Sequence, residues 1–142
     1  MKLRYKKFPT QPTSTFPDTK FFFRPIIPIR ISYKGRSIKY EGLLDSGSDF
    51  CLLHAEIGEF LKIPIIEGKQ EQFGGIVDHQ TTAYFHHVDI TIQGNRYKNI
   101  PVGFSYDIAP HGFGILGHHK FFNLFKIILD VQKEQIELKE KV

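Results

Sequence analysis

The sequence predicts an all-β fold: a small closed barrel with one short C-terminal helix. Three observations predict it. Short runs rich in Phe, Ile, Tyr and Val recur from Phe21 to the C-terminus. Gly- and Asn-bearing turns separate them. A single segment, HHKFFNLF at residues 118–125, reads as a helix, so the strands have to cover one another. Closure into a barrel or a closed sandwich does this and removes open sheet edges.

Residues 1–20 hold three prolines, four threonines and several charges, and read as a disordered or loosely docked basic arm ahead of a domain at 21–142. FFFRPIIPIRISY, residues 21–33, reads as a strand, with Pro25 and Pro28 placing part of it at an edge. Lys34-Gly35-Arg36 is a turn. Residues 37–45 return as SIKYEGLLD, with Ile38, Tyr40, Gly42 and Leu44 on one face. FCLL is a short apolar run, and HAEIGEFL allows one helical turn or two. Residues 71–92 form a long hairpin with its tip near Gly75–His79. In its second limb Tyr84, His86, Val88, Ile90 and Ile92 face one way, and Phe85, His87, Asp89 and Thr91 the other. Gln93-Gly94-Asn95-Arg96 is a tight turn, with Gly-Asn suited to positive φ. Tyr97–Phe104 is a strand. After GFGILG and the helix candidate come KIILD, the polar turn VQKEQ and a last strand, IELK.

With 142 residues the chain suffices for one domain with its own core. At 41% hydrophobic and 24% charged residues it is neither disordered nor membrane-spanning. No apolar run approaches the ~18 residues of a spanning helix. The N-terminus lacks the apolar stretch of a signal peptide, so a cytoplasmic protein is expected. One cysteine, Cys51, excludes an internal disulfide and a Cys-based zinc site. Residues 1–40 carry ten Lys/Arg against one acid, Asp18, while the rest carries nine against fourteen. Such an arm suits an anionic partner or is simply solvated. The β region has no basic stripe interleaved with aromatics, which argues against a nucleic-acid-binding barrel.

Two motifs bear on chemistry. In Leu43-Leu44-Asp45-Ser46-Gly47-Ser48-Asp49 an apolar strand delivers a carboxylate to a defined place. Gly47 permits a sharp turn closed to other residues, and the Ser46 hydroxyl can lock it. By itself this is also what an ordinary Asx or Ser turn looks like. In Gly114-Ile115-Leu116-Gly117 an apolar strand ends in a close backbone approach, which an ordinary core strand also does.

Together, an apolar–apolar–Asp–Ser–Gly turn, a long Gly-bearing hairpin, and apolar–apolar–Gly before a short helix resemble a retropepsin-like aspartic protease over roughly Phe23 to Lys139. Arg24-Pro25 at the first core strand and Asp49 past the glycine extend the likeness. The resemblance implies a barrel of the acid-protease type. It implies Asp45 as catalytic aspartate in the turn Asp45-Ser46-Gly47, with the Ser46 hydroxyl tying two active-site loops together. It also implies a flap at 73–84, substrate contacts from Asp49, Gly74, Gly75, Ile76, Ile115 and Leu116, and Arg24 and Ser46 as dimer-stabilising residues. The chain departs from the retroviral pattern in having Ser46 for Thr, Ser48 for Ala and His118 for Arg. Its glycines at 74–75 are fewer than in the retroviral tip, and the arm has no counterpart.

Aspartic-protease chemistry needs two carboxylates around one water, and this chain has one Asp-Ser-Gly turn. The second carboxylate is therefore expected from another copy across a C2 axis. The expected activity is endopeptidase action on a polypeptide by a homodimer, with no metal or cofactor required. The alternative is a catalytically silent member of the same fold, acting as a dimerisation or peptide-binding module.

Other motifs point elsewhere and fail. Residues 112–117 match G-x-G-x-x-G, but too few residues follow Gly117 for a dinucleotide fold. His86 and His87 point to opposite faces of one strand, and His118 and His119 also diverge, so neither pair suits one metal ion. Cys51 lies in an apolar run and reads as structural.

Overall fold

The computed structural model describes residues 1–74, 80–110 and 112–141. The barrel strands are β4 (Ile26–Tyr33), β5 (Arg36–Leu44), β6 (Cys51–His54), β8 (Gln80–Ile92), β9 (Asn95–Ser105) and β10 (Gly114–Leu116). They are hydrogen-bonded in the order β4-β5-β10-β6-β9-β8, and β8 pairs back onto β4, closing the predicted barrel. Strand β7 (Lys69–Gly74) extends from β8 outside the ring. Ile27, Ile29 and Ile31 of β4, Val88, Ile90 and Ile92 of β8, and Ile100, Val102 and Phe104 of β9 fill the interior. Each set alternates along its strand, as a half-buried strand requires.

The run FFFRPIIPIRISY is two strands, because Pro25 supplies no N–H and interrupts the ladder. β3 (Phe21–Arg24) precedes it and β4 follows. Pro28 lies where β4 has β5 as its sole neighbour, since β8 reaches only Arg30–Ser32. Two hairpins turn on left-handed pairs, Lys34 (φ 44°) with Gly35 (φ 80°) and Gln93 (φ 47°) with Gly94 (φ 82°). The second turn thus sits one residue earlier than Gly94-Asn95, with Asn95 already paired to Ile92.

The helix content is placed differently from the sequence expectation. The α-helix is α1 (Ala55–Phe60), capped by His54, whose Nδ1 accepts from the Glu56 N–H at 3.2 Å. The segment 118–125 forms a turn and a single 3-10 turn at Phe122–Leu124. Lys120 takes a left-handed φ of 65°, which stops helical progression. Phe121 and Phe125, both in the core, flank that turn.

The N-terminal arm is paired rather than loose. β1 (Lys2–Arg4) lies antiparallel to β12 (Gln135–Glu140), which pairs with β11 (Phe125–Asp130) in a second, three-stranded sheet. The terminal ammonium of Met1 donates to the Leu138 carbonyl at 2.7 Å. β2 (Lys6–Pro9) pairs with β3, setting Phe8 opposite Phe22. The arm's prolines and threonines lie mainly in the 10–20 loop between the ribbon strands, and its β pattern is only three or four residues long at each strand. Among the described residues no helix is long and apolar enough to cross a membrane.

Candidate active site

Strand β5 ends at Leu44, and Asp45 is the first residue beyond it. What holds that point is β10, which inserts between β5 and β6. It runs parallel to β5, pairing Ile115 with Leu43 and Leu116 with Leu44, and antiparallel to β6 through Ile115 and Leu52. The Asp45 N–H donates to the Leu116 carbonyl at 3.0 Å, and the Leu44 N–H to the Pro25 carbonyl at 2.9 Å. The carboxylate's backbone is therefore held from two elements distant in sequence.

The Asp45 side chain is fixed within its own turn. Oδ1 accepts from the Gly47 N–H at 2.9 Å, and the Asp45 carbonyl accepts from the Ser48 N–H at 3.2 Å. Gly47 is not among the left-handed residues, so the expected need for an unusual φ is not its reason. A Cβ there would lie 3.2 Å from Asp45 Oδ1, so a bare glycine leaves room for the carboxylate against the N–H. Asp45 is half-buried, while Ser46, Gly47 and Asp49 are exposed.

A second loop, 117–119, is laid along the first. The N–H groups of His118 and His119 donate to the carbonyls of Ser48 (2.9 Å) and Asp49 (2.7 Å). His118 Nε2 lies 2.7 Å from the Ser46 carbonyl. A Cβ on Gly117 would come within 2.4 Å of the Phe50 carbonyl oxygen and 2.6 Å of that of Ser48, so the loops meet only because residue 117 has no side chain. The Gly117 N–H donates to Cys51 Sγ at 3.4 Å. Burial pushes the Cys51 thiol up to about 11 against a smaller opposing pull from that N–H, which suits a structural sulfur and not a nucleophile.

Other expected site residues distribute as follows. Leu116 is 1% exposed, so its side chain belongs to the core and not to an open surface; its carbonyl receives the Asp45 N–H. Ile115 is half-buried between its two strand partners. Gly74 ends β7 opposite Gln80, while Gly75 and Ile76, with the expected flap tip, lie outside the described residues. The β8 limb of that hairpin is anchored at Thr82: Ser105 Oγ donates to the Thr82 carbonyl at 2.6 Å, and the Thr82 N–H to Asp107 Oδ2 at 2.9 Å. Arg24 rests its guanidinium on the rings of Phe8 and Phe22, at 5.7 and 5.6 Å. It forms no ion pair with Asp49 within the chain, among the described residues. His86 bonds the Ile65 carbonyl at 2.9 Å while His87 faces outward, so the two diverge as their strand spacing requires. A groove of about 360 Å³ opens beside the turn, with Ser46 and His118 on its rim and Leu44, Phe122, Phe125 and Ile127 along its wall.

The supporting roles of Cys51 and His118, and the receiving carbonyls of Pro25 and Leu116, are not legible in the sequence. No local signal marks them, because each acts on a backbone group delivered by another part of the chain.

No known family profile and no curated protein matches this sequence. Among solved structures, the chain is similar to a retropepsin-like aspartic protease from Rickettsia conorii at 16% identity, with a TM-score of 0.56. The match covers 92% of this chain and 97% of that one. The fold is thus of the retropepsin-like type.

Proposed function

We propose that this chain is an aspartic endopeptidase that acts as a homodimer, with Asp45 of each copy flanking one water. The observation that carries the reading is the hold on Asp45. A half-buried carboxylate stands at the end of a barrel strand, tethered by the Leu116 carbonyl and the Gly47 N–H, in a fold of the retropepsin-like type. In this reading the ionised carboxylate takes a proton from the water as it attacks the peptide carbonyl. The protonated one donates to the developing oxyanion. Two carboxylates roughly 3 Å apart cannot both ionise, so in this reading they hold one proton between them.

The single Asp-Ser-Gly turn is the reason for a second copy. An isologous C2 interface brings the same residue to the axis twice. Three features support such an interface. The Ser46 hydroxyl makes no hydrogen bond within the chain among the described residues, leaving it free to tie to its counterpart. Arg24 and Asp49 lack an ion pair among the described residues and would pair across the axis. Strand β3, which leads into Pro25, whose carbonyl holds the Leu44 N–H next to Asp45, exposes Phe21, Phe22 and Phe23 by 42–45%. Substrate would lie as an added strand between the β7–β8 hairpin and the Asp45 turn, with Asp49, Gly74 and Ile115 around it.

The test is active-site titration with a hydroxyl-bearing transition-state mimic, with oligomer mass measured alongside. One mimic bound per two chains, with peptide cleavage, is the expected result. A dimer that binds peptide without cleaving it would make the protein the silent module instead. An active monomer would remove the shared-site reading.

A further inference from the structure

The carbonyl of Ser46 and the N–H of Gly47 belong to one peptide group. The bond between them is trans, so the two point in opposite directions. On one side the Gly47 N–H donates to Asp45 Oδ1 at 2.9 Å. On the other the Ser46 carbonyl lies 2.7 Å from His118 Nε2. His118 and Asp45 therefore grip opposite ends of a single peptide plane, and rotating that plane would break both bonds together.

Little else holds it. Ser46 and Gly47 are exposed, and Gly47 has no Cβ to restrict rotation. His118 is itself fixed twice. Its backbone N–H donates to the Ser48 carbonyl at 2.9 Å, and its ring packs tilted against Phe122 with centroids 4.8 Å apart. A carbonyl only accepts, so Nε2 must carry the proton, in the neutral Nε2–H tautomer or in the imidazolium. Donation to a peptide carbonyl also polarises that peptide and makes its N–H a stronger donor.

We propose that His118 is a positioning residue for Asp45, setting the carboxylate's orientation through the Ser46–Gly47 peptide group. The inference rests on the reading of Asp45 as the catalytic carboxylate. His118 touches no reacting atom in this scheme; it fixes the plane that fixes the acid.

The test compares the full-length wild type with His118→Phe and His118→Gln. Phe keeps the ring against Phe122 and removes the donor, while Gln keeps an N–H donor on a flexible side chain. On a peptide substrate, His118→Phe is expected to lower kcat by about 10–100-fold, the scale of a small misplacement of a catalytic group. KM should change little, since no substrate contact is lost. His118→Gln should recover most of the loss. In NMR spectra the Gly47 amide proton should move upfield in His118→Phe and stay near its wild-type position in His118→Gln. In the wild type the ¹⁵N shifts of His118 should show a protonated Nε2. An Nδ1–H tautomer would overturn the proposal even if His118→Phe failed to fold. So would wild-type kcat and Gly47 shift in a folded His118→Phe, or a His118→Gln as impaired as His118→Phe. If the wild type cleaves nothing, the protease reading fails by itself, and the Gly47 shift and the tautomer still decide whether the His118–peptide–Asp45 link exists.

Discussion

The backbone N–H of Asp45 donates to the carbonyl of Leu116 at 3.0 Å, so the place of the acid is set by a strand that arrives late in the chain. That strand, β10, lies between β5 and β6 only because small residues let it in. A Cβ on Gly42 would meet Leu116 Cδ1 at 2.7 Å, and one on Gly117 would strike two backbone carbonyls.

Gly117→Ala follows directly. Its obstacles are main-chain oxygens and not the ends of flexible side chains, so loops 45–50 and 117–119 must part. Denaturant unfolding should show a loss of about 1–3 kcal/mol, the usual cost of overpacking. Activity should fall further than stability, because the Asp45 tether lies beside the displaced loop. Unchanged stability would mean that the loops do not meet this closely.

Asp45→Asn should leave the fold and oligomer mass intact and lower peptide cleavage by at least about 10²–10⁴-fold, the range of general acid–base contributions. Asn is near-isosteric but cannot shuttle the proton. Wild-type activity should peak on the acid side of neutral, because full ionisation of the pair removes the acid. A pH–rate profile that keeps rising into alkaline solution would contradict a shared proton.

Arg24→Asp alone and Asp49→Arg alone should each weaken dimerisation, raising the dimer Kd by about tenfold, or ~1.4 kcal/mol. Mixing the two single variants should restore it, since each cross-axis pair is then opposite in sign. Analytical ultracentrifugation decides. If the mixture associates no better than either variant, Arg24 does not meet Asp49 across the axis.

Asp89 gives the barrel an acid sensitivity of its own. Burial opposes its ionisation, but the Asn99 N–H at 3.1 Å and the Arg96 guanidinium outweigh that and hold its carboxyl below the usual range. It braces the irregularity between Val88 and Ile90, where Asn99 takes a left-handed φ of 57°. A lowered native pKa stabilises above the unfolded-state pKa, and the contribution is lost as pH falls through the native one. Asp89→Ala should therefore cost no more than about 1 kcal/mol at neutral pH, the scale of a solvent-screened ion pair and hydrogen bond, since Arg96 and Asn99 are exposed and water takes the carboxylate's place. The difference from wild type should shrink in acid, as followed by thermal unfolding. A constant difference down to strongly acidic pH would refute the assignment.

Cys51 should resist thiol reagents at neutral pH in the folded protein and react promptly once denaturant is added. Its thiol is buried and pushed up to about 11, which leaves almost no thiolate. Rapid labelling of the native state, timed by mass spectrometry, would contradict this placement.

Side-chain periodicity made the longer barrel strands readable one by one. The alternation of Val88, Ile90 and Ile92, and of Ile38, Tyr40, Gly42 and Leu44, needs nothing but the chain itself. The Asp45-Ser46-Gly47 turn and the close approach at Gly117 were visible for the same local reason. The short pairing runs of residues 2–4 and 6–9 were not, because three or four residues are too few to show a period among prolines and threonines. The segment 118–125 has helical composition, yet Phe121 and Phe125 both enter the core and Lys120 turns left-handed, so packing overrides propensity there.

What the sequence determined by itself is therefore the long barrel strands, the tendency to close, and the carboxylate placed at a strand end. What the tertiary structure alone decided is who receives each backbone group around that carboxylate. Leu116, Pro25, Cys51 and His118 act through main-chain atoms of distant residues. A main-chain N–H or carbonyl is chemically alike at nearly every position. Its partner is chosen by barrel closure and loop contact, and a linear pattern of side chains carries no record of that choice.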